Sequence, residues 1–196
     1  MAVLTGNIGR EGAGSSPIRG QNNVQGACDM GSFPHELPGY RHISDATART
    51  VFESAWRVEL DPEPGLRIPN MFAASRAGQF RGMFIQGEDV AQSDPDTQHV
   101  HSALAALDCL IVQDLFLTET AQFAHVFLPG TSFLEKDGTF TNAERRINRV
   151  RPVTQPRTGL SEWEAVCRLG TAMGYPMHYE SARDIMTEVA SLTTWT

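Results

Sequence analysis

The sequence predicts an α/β fold: a Rossmann-like parallel sheet with flanking helices. Three observations predict it. Three short apolar runs, "FRGMFIQ" (80–86), "CLIVQD" (109–114) and "HVFLPG" (125–130), have strand length and give way to glycine or polar residues. The segments between them are helical: Val100, Leu104 and Leu107 fall on one side of 95–108, and 118–124 reads as a shorter helix. Strands alternating with helices are the βαβ pattern of a parallel sheet, and the chain has no tandem repeat.

The elements follow in order. Residues 1–39 are rich in glycine, proline and amides and have little capacity for regular structure. "MAVLTGNIGREG" reads as the end of a strand followed by a glycine loop. A loop as long as the one that follows is usually functional or disordered, and the lack of a dominant charge run favours function. Residues 45–56 form a helix with Val51, Phe52, Ala55 and Trp56 on one face and Asp45 as its cap. "DPEPGLRIP" (61–69) breaks the chain, and 70–78 is a short helix ending at Gly78. After the third strand, closed by Pro129–Gly130, residues 132–152 read as a loop with an Asp-Gly turn and then irregular basic chain. Two helices close the sequence, announced by Ser161 with Glu164 and by Ser181 with Asp184 in capping-box spacing.

Composition narrows the function. A chain of 196 residues with a net charge of −7 suits one domain or two small ones and argues against a general nucleic-acid or membrane-surface role. No apolar run approaches the roughly 20 residues of a membrane span, and no signal peptide is legible, so the expected location is cytoplasmic. Cys28, Cys109 and Cys167 form no C-x-x-C pair; neither a zinc site nor an iron–sulfur cluster is supported, and buried thiols are the ordinary reading. His99 and His101, two apart on a helix, point apart and read as solvated side chains. The P-loop pattern, G-x-G-x-x-G and G-x-S-x-G are all absent.

In parallel α/β sheets ligands bind beyond the carboxyl ends of the strands. Three such ends can be read: Gly87, Glu88, Asp89 and Ser93; Gln113 and Asp114; and Gly130, Thr131 and Ser132. A glycine lets backbone N–H groups approach a phosphate closely. A carboxylate accepts hydrogen bonds from a ribose diol or from the N1–H and N2–H₂ edge of guanine. The plainer alternative is that these are ordinary polar turns. Arg145, Arg146, Arg149, Arg151 and Arg157 form a basic stretch, either a solvated surface or a contact for an anionic cofactor or neighbouring domain.

The stretches "GSSPIRGQNNVQGACDMGSFPHELPGY", the run from "GEDVAQSDPDTQHV" to "FTNAERRINRVRP", and "EWEAVCRLGTAMGYPMHY" closely resemble the alpha subunit of molybdenum- or tungsten-dependent formate dehydrogenases of the DMSO reductase family. "RGQNNVQGACDMG" is the most specific element. The resemblance implies a metal held between two molybdopterin guanine dinucleotides, oxidation of formate to CO₂, and electrons leaving through a 4Fe–4S cluster toward iron–sulfur or flavin electron-transfer subunits. By that resemblance Arg19 is the arginine facing formate, and a permanently charged guanidinium fork suits a small carboxylate. Gln21 is implied as a cofactor contact of the same loop. Gly87, Glu88, Asp89, Ser93, Gln113 and Asp114 resemble the family's pocket for one guanosine and its phosphates, Ser132 at the third strand end is read as a further cofactor contact, and Asn142 and Arg145 lie where the family's chain returns toward the cluster domain.

The family's cysteine or selenocysteine metal ligand, the cysteine motif of its cluster, the lysine bridging cluster and pterin, and its C-terminal barrel are not in this sequence, and "SLTTWT" departs from the family. The resemblance therefore implies an internal fragment, not competent alone and working with the remaining domains of its own subunit. Residues 1–21 would end a neighbouring cofactor-binding domain, 22–132 form part of the guanosine-binding domain, and 133–196 a return segment with a helical extension. The competing readings are a fragment acting on another oxyanion and a non-catalytic interaction module of the same fold.

Overall fold

A computed structural model describes residues 1–15, 20–158 and 160–193 of the chain. Residues 1–6 form turns and not the expected strand end. Thr5 N–H donates to Met1 O at 3.0 Å and Asn7 N–H to Ala2 O at 2.8 Å. Val3 and Leu4 remain exposed, so no burial drives an extended conformation there. The amide-rich stretch folds a short helix, α1 (Val24–Asp29), followed by a two-residue antiparallel pair, β1 (Glu36–Leu37) and β2 (Arg41–His42).

Helix α2 (Ala46–Trp56) starts where Asp45 accepts the N–H groups of Thr47 at 2.9 Å and Ala48 at 3.3 Å. A cap of this kind contributes about 1 kcal/mol. Phe52 is 1% exposed and anchors the inner face. Helix α3 (Ile68–Arg76) carries Pro69 in its first turn, where a missing N–H costs nothing, and ends before Gly78 at φ +70°.

The central sheet is parallel, in the order β3 (Gly82–Gln86), β4 (Cys109–Asp114), β5 (Val126–Pro129). Between β3 and β4 lie α4 (Val90–Ser93) and α5 (Thr97–Ala105); a 3₁₀ turn over Thr120–Phe123 precedes β5. Side chains alternate across the strands. Ile85, Leu110 and Val112 face the helices and pack with Phe72, Val90, Val100, Ala103, Leu104 and Leu107 into one core. The register pairs Gln86 with Gln113 and Asp114 with Pro129, so the three strands end level.

Residues 138–150 correct the irregular reading of the basic stretch. β6 (Gly138–Thr141) and β7 (Ile147–Val150) form an antiparallel hairpin, turned at Asn142–Arg146 instead of at Asp137–Gly138. Asn142 Oδ1 accepts the N–H groups of Glu144 at 3.0 Å and Arg146 at 2.9 Å, and Arg145 takes φ +62°. Ile147 is 68% exposed, so the hairpin has no buried face to imprint an alternation on the sequence.

Helix α6 (Glu162–Ala172) opens with the expected capping box between Ser161 and Glu164, and α7 (Ala182–Leu192) with Ser181 accepting Asp184 N–H at 3.3 Å. α7 has no buried residue. It is tied down through Glu188, whose carboxylate takes Trp56 Nε1–H at 3.0 Å and Tyr179 O–H at 2.9 Å. Burial, with the Glu188 carboxylate beside it, pushes the Tyr179 phenol up to about 12.

Two further readings change. Cys28 and Cys167 are buried, but Cys109, on the sheet face away from the helices, is exposed. His101 is not solvated: its ring lies 5.0 Å from that of Phe123, and its Nε2 is buried without a hydrogen-bond partner among the described residues. His99 Nδ1 does reach a partner, Arg76 Nη1 at 2.8 Å.

Candidate functional site

The level ends of β3, β4 and β5 bring Gly87, Glu88, Asp89, Ser93, Gln113, Asp114 and Ser132 to one end of the sheet. Gly87 makes the exit from β3 with φ +65° and donates its N–H to Gln113 O at 2.9 Å. Glu88 Oε1 accepts the Ser93 hydroxyl at 2.6 Å, which ties the loop to the end of α4. Burial and the neighbouring Glu88 carboxylate push Asp94 up from its ordinary value.

Several residues expected to face a ligand are engaged inside the protein. Asp89 Oδ1 accepts both Thr120 N–H at 2.9 Å and Thr120 Oγ1–H at 2.6 Å. Gln113 is 2% exposed, and its Oε1 takes Gln86 Nε2–H at 2.8 Å. Ser132 gives both its N–H and its hydroxyl to Glu135 Oε2 at 2.8 Å. These bonds, with that from Arg157 N–H, hold Glu135 below the usual carboxylate range. Asp114 is half-buried, and its Oδ1 accepts Leu115 N–H at 2.6 Å.

The exit of β5 is built more tightly than the other two. Gly130 N–H donates to Asp114 O at 2.8 Å. A Cβ at Gly130 would lie 3.1 Å from Asp114 C and 3.3 Å from its O, so any larger residue would press the two strand ends apart by a few tenths of an ångström. Thr131 is 2% exposed and gives N–H and hydroxyl to Glu162 at 2.9 and 2.6 Å. Lys136 Nζ completes the arrangement 2.8 Å from Glu162 Oε1. Burial alone would raise the Glu162 carboxyl; the Lys136 and Thr131 hydrogen bonds outweigh it and hold the group below its ordinary value. Sequence reasoning missed Glu162 and Lys136 because their partners are 31 and 26 residues away.

A second feature gathers the remaining candidates. Gln21, Asn22, Asn142 and Asn148 line one cleft of about 480 Å³ between the amide stretch and the hairpin, with Phe133 and Phe140 in its wall. Gln21 and Asn142 thus share a cleft, while Arg145 sits exposed in the adjoining turn. Two amides of the run hold the local fold. Asn23 Oδ1 accepts Thr141 N–H at 2.9 Å, joining α1 to β6. Gln25 Nε2 donates to Asp29 Oδ1 at 2.8 Å and to Tyr40 Oη at 2.9 Å. Gln21 and Asn22 stay exposed, each with donors and acceptors for a heterocycle edge. Arg19 lies outside the described residues.

Chemically, the sheet end offers the Glu88 and Asp114 carboxylates, with the Ser93 hydroxyl bonded to Glu88 and the Lys136 ammonium paired with Glu162. Such a set suits the hydroxyls of a ribose or the N–H edge of a purine better than a phosphate. Among the described residues no group of three or more His, Cys, Asp or Glu side chains is placed to hold a metal ion, and no helix is long and apolar enough to cross a membrane.

The molybdopterin oxidoreductase family model matches residues 1–172. The F420-dependent formate dehydrogenase subunit alpha of Methanocaldococcus jannaschii is 46% identical over 196 residues, which covers 98% of this chain and 29% of that protein. Formate dehydrogenase H of Escherichia coli is 43% identical over 194 residues, covering 98% of this chain and 27% of its own length. Among solved structures, acetylene hydratase from Pelobacter acetylenicus superposes with a TM-score of 0.56 at 19% identity over 82% of this chain and 20% of its own, a likeness of fold. The chain spans less than a third of the length of these curated relatives.

Proposed function

The chain belongs to the molybdopterin oxidoreductase family, and from that premise we propose that it is the portion of a formate dehydrogenase alpha subunit that holds the nucleoside end of one pterin cofactor and presents an arginine to formate. The observation that carries this reading is the identity sustained over 98% of the chain with two formate dehydrogenases. The geometry adds to it. Glu88 and Asp114 at the sheet end fit a guanosine by its ribose hydroxyls and its N1–H and N2–H₂ edge. The exposed amides of Gln21 and Asn22, in the cleft they share with Asn142 and Asn148, fit the mixed donor and acceptor edge of a second heterocycle, such as the pterin.

The cofactor of this reading is bis-molybdopterin guanine dinucleotide carrying molybdenum or tungsten, and when bound it supplies the two-electron chemistry that turns formate into CO₂. The residues described here fit its nucleoside part. Its metal ligand and the 4Fe–4S cluster would come from the rest of a longer subunit, and electron-transfer subunits would follow. This chain binds and orients. Formate has almost no apolar surface, so charge and hydrogen bonds must hold it, and the Arg19 guanidinium offers both in one planar fork.

The test is substitution in a full-length subunit with cofactor content measured alongside kinetics. Arg19→Lys keeps the charge and loses the fork; Arg19→Ala loses both. The expected result is retained molybdenum and guanine content with kcat/KM for formate down about 10²-fold or more for Arg19→Ala. Full cofactor with unchanged kcat/KM would overturn the substrate role, and loss of cofactor in step with activity would make Arg19 an anchor of the loop.

A further inference from the structure

The end of β5 is held from outside the sheet by a side chain of the following helix, Glu162. Glu162 is the first residue of α6, where a carboxylate is favoured by the helix N-terminus. Ser161 and Glu164 already cap that helix, so the Glu162 side chain is free to reach toward β5. It uses both oxygens. Oε1 takes Thr131 N–H and Lys136 Nζ–H, and Oε2 takes the Thr131 hydroxyl. A glutamine could not do this, because one of its two terminal atoms is a donor.

We propose that Glu162 is a positioning residue for the nucleoside end of the site, acting on Asp114 through Thr131 and Gly130. The proposal rests on the reading of the sheet end as a guanosine site. The path has no slack. Thr131 is 2% exposed and both its donors are consumed by Glu162. Gly130, its neighbour, is bonded to Asp114 O at 2.8 Å and packed so that a Cβ would lie only 3.1 Å from Asp114 C. Asp114 Oδ1 is held by Leu115 N–H at 2.6 Å, so the carboxylate turns with its own backbone. A shift at Thr131 therefore passes into the direction of Asp114.

The same bonds define where a nucleotide's phosphates are not received. The N–H and hydroxyl groups of Thr131 and Ser132 are taken by Glu162 and Glu135, and Lys136 is paired with Glu162. A phosphate approaching this exit would meet the Glu162 and Glu135 carboxylates, with the Lys136 ammonium already paired to one of them. The nucleoside is thereby confined to the exits of β3 and β4.

The experiment uses the 196-residue chain and guanosine 5′-monophosphate as the probe. Residue-resolved amide hydrogen exchange and binding titrations are measured for wild type, Glu162→Gln, Thr131→Val and Thr131→Ser. Glu162→Gln and Thr131→Val should speed exchange at Gly130 and Leu115 about tenfold, leave Val112 in the centre of β4 protected, and weaken the nucleotide about tenfold. Thr131→Ser keeps both donors and should behave as wild type. If Glu162→Gln does not fold, the Thr131→Val and Thr131→Ser pair gives the answer. Unchanged protection at Gly130 and Leu115, or equal loss at Val112, would overturn the positioning role. A wild-type chain that shows the exchange pattern but binds no nucleotide would overturn the guanosine reading instead.

Discussion

Replacing Thr120 with valine removes one hydroxyl and keeps the side chain's shape. That hydroxyl donates to Asp89 Oδ1 at 2.6 Å and accepts Ala91 N–H at 3.0 Å, and both Thr120 and Ala91 are 0% exposed. Valine would leave the Ala91 N–H buried without an acceptor, at about 1–3 kcal/mol, and would remove a charge-assisted bond worth about 1.5–3 kcal/mol. The two overlap, so the expected loss is about 3–4 kcal/mol, a large share of the roughly 5–15 kcal/mol that holds a domain together. Urea unfolding followed by circular dichroism reads it as a midpoint lowered by about 1 M or more at unchanged slope. Asp89→Asn, which keeps an oxygen acceptor facing Thr120, should lose only about 1 kcal/mol. A Thr120→Val chain within about 1 kcal/mol of wild type would refute the reasoning and release Asp89 for a role at the ligand.

Three other outcomes are expected. Glu162 has its carboxyl held below the ordinary value of 4.5, so its contribution is complete above that pH and is lost as pH falls through the folded value; the stability gap between wild type and Glu162→Gln should be full at pH 7 and close in acid, and a gap independent of pH would contradict the ion pair with Lys136. Gly87→Ala meets no atom within 4 Å but must adopt φ +65°, so it should cost about 1 kcal/mol in the same unfolding assay. Among the described residues β3 and β5 each have one sheet neighbour, and Leu115, Phe116 and Leu117, in the segment after β4, are 50%, 74% and 78% exposed; sedimentation should show self-association rising with concentration, and a monodisperse monomer throughout would count against it.

What could be read from the sequence was local. Asp45, Ser161 with Glu164, and Ser181 act on N–H groups two or three residues away, and the strand at 109–114 announces itself by an unbroken apolar run. The hairpin at 138–150 escaped because neither strand has a buried residue and its turn is made by one asparagine side chain and a left-handed arginine. At the candidate site the residue types at the strand exits were legible, but their commitments were not. Asp89 is spent on Thr120, Gln113 on Gln86 and Ser132 on Glu135. Nothing in composition distinguishes a carboxylate that waits for a ribose from one that already caps a turn. The meeting of Gln21 with Asn142 in one cleft depends on α1 being pinned to β6 by Asn23, across 118 residues.

In the proposed function the carboxyl end of this sheet receives a guanosine. Its most direct test is a titration of the isotopically labelled 196-residue chain with guanosine 5′-monophosphate, read as backbone chemical-shift changes, with adenosine 5′-monophosphate as the comparison. Saturable shifts are expected, centred on Gly87, Glu88, Ser93 and Asp114, weaker or absent with the adenine nucleotide, and none at the Thr131–Ser132 exit beyond those passed through Gly130. Shifts that miss residues 87–93 and 114, or that are equal for the two nucleotides, would contradict it.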